Sequence, residues 1–235
     1  MHSRIFSLLF LCLLAGRIEA EEQGVHLFIL SGQSNMAGLD PNVSFTPTVE
    51  QAFGKEHVIV VKDAQGGQPI RRWYKQWKPK NGPMPEKNGD LYDRLMEKVN
   101  KAIEGKTVAT VTFVWMQGEN DAKTSHGEVY ADALRGLIDQ LASDLDRKDV
   151  NFVIGRISDF SNDNKSFPHW TIVRDAQVKV AEENERGAWV DTDDLNDKPG
   201  KDGTKRNDLH YTKDGYAEFG KRCAEKAIEL IRKKH

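Results

Sequence analysis

The strongest constraint on this chain is an alternation of strand-length apolar runs with stretches of helical periodicity. The runs fall at residues 26–30, 58–61, 108–115, 151–157 and 188–190. Strands that are apolar almost throughout are buried on both faces, as in parallel sheets. Over 90–103, Leu91, Leu95, Val99 and Ile103 recur at four-residue spacing, which predicts an amphipathic helix. Leu134, Leu137, Ile138, Leu141 and Leu145 share one helical face of 128–145. Residues 170–183 and 214–232 read as further helices. The last one presents Tyr216, Phe219, Cys223, Ala227 and Ile231 inward and ends in basic residues that suit its negative pole. Strand and helix in alternation predict an α/β fold, with a central parallel sheet and helices on both faces.

Residues 1–20 read as a secretory signal peptide. His2 and Arg4 precede an apolar core too short to span a bilayer, and the small Ala20 precedes the cleavage point. A secreted or periplasmic protein is therefore expected, with no membrane contact once the signal is removed. Residues 21–235 have the size of one α/β domain and contain no repeat, low-complexity tract or linker, so a single domain is expected. The chain carries 34 Lys+Arg against 36 Asp+Glu. So balanced a surface argues against nucleic acid or an anionic membrane as the main partner. Cys223 is the only cysteine beyond the signal, which leaves no intrachain disulfide; its apolar helical stripe marks it as a buried structural thiol.

The first apolar run leads into Gly32-Gln33-Ser34-Asn35-Met36. Gly32 permits a sharp turn, and Ser34 stands at the carboxyl end of a buried strand, where open α/β sheets place functional groups. On position alone Ser34 reads as a helix cap, because caps far outnumber nucleophiles. The downstream sequence reverses that preference. Gln65-Gly66-Gly67 follows the second run and offers exposed backbone amides, and Gln117-Gly118-Glu119-Asn120-Asp121 follows the third. A serine hydroxyl needs a base to take its proton, and the base needs a third group to fix its tautomer. Of the histidines, His26 and His57 precede or begin strands and so occupy the wrong rim, while His126 and His169 read as loop surface groups. His210 comes immediately before the last helix and can reach the serine's rim. No metal is expected, since no His-Glu-x-x-His spacing or calcium-loop pattern occurs. Trp73, Tyr74 and Trp77 lie on a long excursion, residues 70–85, either to stack on sugar rings or to pin the loop to the body.

These four blocks, with Asp208-Leu209-His210-Tyr211 as the last, resemble the SGNH-hydrolase superfamily. More narrowly they resemble its sialate O-acetylesterase-like branch, which includes carbohydrate esterase family 6 acetylxylan esterases. The resemblance extends over residues 27–222 and rests on Gly-Gln-Ser-Asn-Met and Gln-Gly-Glu-x-Asp occurring in that order. It implies a three-layer α/β/α, flavodoxin-like fold and a serine esterase that hydrolyses O-acetyl esters on carbohydrate through an acyl-enzyme, without a cofactor. Ser34 would be the nucleophile and His210 the base. The oxyanion hole would draw on Gln33, Gly67 and the side chain of Gln117, with Asn35, Glu119 and Asn120 in support; Asn120 competes with Gln117 as the side-chain donor. One departure stands out. The family's aspartate three residues before the histidine is replaced by Asn207, so Asp208, Asn207 or an acid from 191–194 must orient His210, with Asp208 preferred. A carbohydrate-binding protein on the same fold, with little turnover, is the alternative that Asn207 and the tryptophan loop allow.

Overall fold

The computed structural model describes residues 24–199 and 204–233; the signal-like segment 1–20 lies outside them. Strands β1 (Val25–Gly32), β2 (Val58–Ala64), β3 (Val108–Met116), β4 (Asn151–Gly155) and β5 (Gly187–Val190) form one sheet. Its order is β2-β1-β3-β4-β5 and every pairing is parallel. Parallel strands need crossovers, and crossovers are right-handed. The step from β1 outward to β2 therefore puts α2 (Phe45–Phe53) on one face. The steps in the other direction put α3 (Asp90–Ile103), α5 (Gly127–Asp144) and α6 (Trp170–Glu182) on the opposite face. Helix α7 (Lys213–Arg232) follows β5 and returns to pack on α2. This is the expected α/β architecture, with its core between the layers: Phe28, Ile29, Phe113, Trp115 and Val153 are wholly or almost wholly buried. Burial of each such side chain contributes about 1.5–3 kcal/mol.

Three features depart from the expectation. Residues 40–56, read as a polar connection, contain α2, whose Phe45 and Val49 are buried one helical turn apart. Pro47 disguises this helix, yet it lies in the first turn, where an amide hydrogen has no intrahelical acceptor to lose. The sugar-stacking reading of the tryptophan loop must be corrected. Trp73 and Trp77 are buried; Trp73 packs edge-on against Trp115 at 5.2 Å and Trp77 against the His126 ring at 5.2 Å. These aromatics pin the loop. Finally, a small antiparallel hairpin of β6 (Asp197–Pro199) and β7 (Lys205–Asn207) precedes the His210 loop.

The register Gly32↔Ala64 and Gly32↔Met116, with Gly155↔Val190 further along, sets the carboxyl ends of the strands on one rim. Gly32 is required where β1 leaves the sheet. Its φ is +144°, and a Cβ there would lie 1.9 Å from the Met116 carbonyl oxygen. Cys223 is buried, and burial pushes its thiol far above the usual range, so it is unreactive as expected. Among the described residues, no helix is long and apolar enough to cross a membrane.

Candidate active site

Ser34 is the first residue of a five-residue helix, α1 (Ser34–Gly38), with Gln33 at the cap position. It is thus not itself the cap. The first backbone amides of a helix have no internal acceptor. The Ser34 N–H finds none elsewhere among the described residues, and neither does that of Gly67. Gly67 has φ +69° with open space where a Cβ would stand, and a Cβ at the neighbouring Gly66 would lie 3.7 Å from the Ser34 Cβ. Asn120 lies in α4 (Glu119–Lys123), the short helix after β3. One hydrogen of its side-chain amide is held by the Gly67 carbonyl at 2.8 Å. Ser34, Gly67, Asn120 and His210, with Lys123 and Phe167 on the outer wall, line one cleft of about 350 Å³.

The two glutamines expected as oxyanion donors are placed differently: Gln33 lines the cleft with its backbone N–H already engaged, and Gln117 is buried. The Gln33 N–H donates to the Met116 carbonyl at 2.9 Å, and the Gln33 side-chain oxygen accepts from the Asn120 N–H at 3.2 Å. Gln117 is wholly buried beneath the cleft. Its Nε2 is shared among Asp121 at 2.6 Å, the Gln68 carbonyl at 3.1 Å and Gln33 Oε1 at 3.2 Å. Tyr130 and Gln177 donate to its backbone carbonyl, each at 2.7 Å. Gln117 braces the rim from its buried position, while Gln33 and Asn120 are the amide side chains that line the cleft, the Gln33 oxygen being held by the Asn120 N–H.

The residues proposed to orient His210 also separate. Asp208 Oδ1 accepts from the backbone N–H of His210 at 3.1 Å, and its Oδ2 is paired with Arg206 at 2.7 Å and Lys198 at 3.2 Å. The Arg206 hydrogen bond above all holds this carboxyl well below the usual carboxylate range. Asn207 turns the other way, accepting from Asn196 at 2.7 Å and donating to Asp159 at 2.9 Å. The acids of 191–194 are engaged by arginines. Asp191 pairs with Arg156, Asp193 with Arg156 and Arg174, and Asp194 with Arg222.

Two buried carboxyls lie under the site. Desolvation pushes Glu119 up to about 7 and Asp121 up to about 6, and one oxygen of each has no partner among the described residues. For an acid whose folded value is raised, folding favours the neutral form. The stability that Glu119 contributes is present below its ordinary value of 4.5 and is lost as pH rises through about 7. The thermal midpoint of the wild type should therefore fall between about pH 5 and about pH 8, and that of Glu119→Gln should fall less. Parallel melting curves for the two proteins would remove Glu119 as the cause.

The chain falls in the class of carboxylic ester hydrolases. The family model described as "Carbohydrate esterase, sialic acid-specific acetylesterase" matches residues 37–229, and the chain belongs to that family. The match begins just beyond Ser34, so the place of that serine rests on the geometry above. Among solved structures, a protein from Arabidopsis thaliana is 19% identical, with a TM-score of 0.65 over 88% of this chain and 98% of its own. A carbohydrate acetylesterase from Xanthomonas citri, XAC1771, is 16% identical at TM-score 0.63, over 87% of this chain but 56% of its own. NanS is 12% identical at TM-score 0.61, over 90% of this chain and 99% of its own. Identities this low speak for the fold. No curated protein shows significant sequence similarity to the chain.

Proposed function

We propose that this protein is an exported serine esterase that removes O-acetyl groups from carbohydrate, of the acetylxylan or sialic-acid type. The observation that carries the reading is the convergence of Ser34, His210, two uncommitted backbone amides and the Asn120 side chain on one cleft. In this reading Ser34 Oγ attacks the acetyl carbonyl carbon while His210 takes its proton. The negative charge that develops on the carbonyl oxygen is met by the N–H groups of Ser34 and Gly67 and by the free hydrogen of Asn120 Nδ2. The C–O bond to the sugar breaks, the alkoxide leaves with the proton from His210, and an acetyl ester remains on Ser34. Water, deprotonated by His210, then releases acetate and restores the serine. Asp208 is the acid of this arrangement. It is kept ionised by Arg206 and Lys198 and fixes the His210 backbone N–H, whereas Asn207 is engaged on both sides. The test is acetate release from p-nitrophenyl acetate, acetylated xylan and O-acetylated sialic acid, with wild type and Ser34→Ala compared. Equal rates would end the proposal.

The outer wall bears on which sugar is preferred. Lys123 is exposed, has no carboxylate partner among the described residues, and stands 6.0 Å over the Phe167 ring. A carboxylate on the substrate gains from that ammonium, by about 1 kcal/mol at an exposed position. Lys123→Ala should lower kcat/KM for a carboxylate-bearing acetylated sugar about fivefold while leaving a neutral one unchanged. Equal losses on both substrates would assign Lys123 no such role.

A further inference from the structure

Asn35 follows the serine directly, is buried, and uses the whole hydrogen-bonding capacity of its side chain. Its Nδ2 donates to Glu119 Oε1 at 3.0 Å and to the Leu209 carbonyl at 3.1 Å. Its Oδ1 accepts from the Tyr211 N–H at 3.3 Å and from the Tyr216 hydroxyl at 3.2 Å. Leu209 and Tyr211 flank His210. One amide, anchored to the backbone next to Ser34, thus grips the loop on both sides of the histidine.

We propose that Asn35 is a positioning residue: its side chain fixes the separation of Ser34 and His210 by clasping Leu209 and Tyr211, with Glu119 and Tyr216 holding the clasp in orientation. This rests on the reading of Ser34 and His210 as the reacting pair. The chemistry of the four partners selects an amide. Two of them are acceptors and two are donors, and only a carboxamide of this length offers two hydrogens and an oxygen with two lone pairs. Aspartate has the same shape and keeps the acceptor, but it sets a charge against the Leu209 carbonyl and the Glu119 carboxyl. Alanine abandons all four partners inside the protein, where an unmade hydrogen bond is costly. The loop residues 208–212 have no helix or strand hydrogen bonds to hold them. Asp208 is tied to Asn196 through its N–H at 3.2 Å and its carbonyl at 2.7 Å, and to Arg206 and Lys198 through its carboxylate. The Thr212 N–H bonds the Leu195 carbonyl at 3.0 Å, so both ends of the loop are anchored. At Leu209 and at the Tyr211 backbone the hydrogen bonds are those to Asn35. Glu119 suits its part, since it is buried at the edge of the cleft and one of its oxygens meets Asn35.

The separation of a nucleophile from its base acts on the chemical step and not on substrate binding. Asn35→Ala and Asn35→Asp are therefore expected to lower kcat about 10- to 100-fold with KM within about twofold of wild type. The rate at which an organophosphorus fluoridate phosphonylates Ser34 should fall in parallel, because that reaction uses the same Ser34–His210 pair without sugar. Tyr216→Phe loses one bond of four and should keep kcat within about threefold of wild type. Rates are referred to serine titrated by complete phosphonylation, so that a fraction of unfolded protein does not count. If Asn35 had only a structural role, the melting temperature and the titratable fraction would drop while kcat per titrated serine stayed put, and that result overturns the inference. An active Ser34→Ala protein overturns instead the reading beneath it.

Discussion

Ser34→Ala, His210→Ala and the double variant are expected to share one low floor of acetate release, about 10⁴- to 10⁶-fold below wild type in kcat. The expectation follows from how the two groups act. An alcohol has negligible nucleophilicity until its proton is accepted, so the base has nothing to do without the serine, and the serine little without the base. Their contributions do not add. What survives in each variant is the effect of the cleft itself: the amides of Ser34 and Gly67 and the Asn120 side chain still surround the carbonyl oxygen. Ser34→Ala leaves the backbone N–H in place, which makes the floor common to all three proteins. The measurement is single-turnover acetate release at high enzyme concentration. Independent losses that multiply in the double variant would separate Ser34 from His210 and dismantle the proposed pair. Retained sugar binding in Ser34→Ala, with no acetate released by the wild type either, would make the protein a binder of acetylated sugar instead.

The parts of this molecule that local sequence reveals are those whose reasons are local. The strands show as apolar runs because a parallel strand is buried on both faces, and α3, α5 and α7 show as periodic stripes because each has one wet side. Ser34 and Gly67 draw notice for a similar reason, since each follows closely on the end of a buried strand. Helix α2 was hidden by Pro47, whose tolerance depends on its place in the first turn. What Gln33 and Gln117 hold is a non-local fact. An amide beside a nucleophile reads as a donor to substrate until its other partners are known, and the Gln117 amide donates to Gln33 and Gln68, 84 and 49 residues away, as well as to nearby Asp121. The same holds for Asn35, whose four partners lie between 84 and 181 residues away. Its adjacency to Ser34 was visible; what it holds was not. The third member of the triad was blurred because Asn207 and Asp208 are neighbours in sequence, while the β6–β7 hairpin turns them to opposite uses. Asn207 faces Asn196 and Asp159, and Asp208 faces the His210 backbone.

Asn120→Ala should lower kcat about 10²- to 10³-fold, the loss typical of one oxyanion donor, with little change in KM or melting temperature. Asn120 is half-exposed at the cleft, so its removal leaves no enclosed void and few unmet partners. One hydrogen of its amide is fixed on the Gly67 carbonyl, which aligns the other without any rearrangement during the reaction. Preplaced donors of this kind act on the charged intermediate far more than on the neutral ester, which is why the effect falls on kcat. Asn120→Asp makes the stronger case. It keeps the shape, removes both hydrogens and puts negative charge where negative charge must develop, so it should be no more active than the alanine variant. Gln117→Ala should behave in the opposite way. It removes one hydrogen bond each from Asp121, Tyr130 and the Gln68 carbonyl, of which Asp121 and Tyr130 keep another, so stability falls by on the order of 1–3 kcal/mol. The folded fraction should still turn over within about tenfold of wild type per titrated serine, since no oxyanion donor has been removed. Were Gln117→Ala to lose the larger factor in kcat while Asn120→Ala stayed near wild type, the donor would be Gln117. Its amide would then have to leave Asp121 during the reaction, a movement that hydrogen exchange at the Ile70 N–H, bound to the same Asp121 oxygen at 2.8 Å, would register.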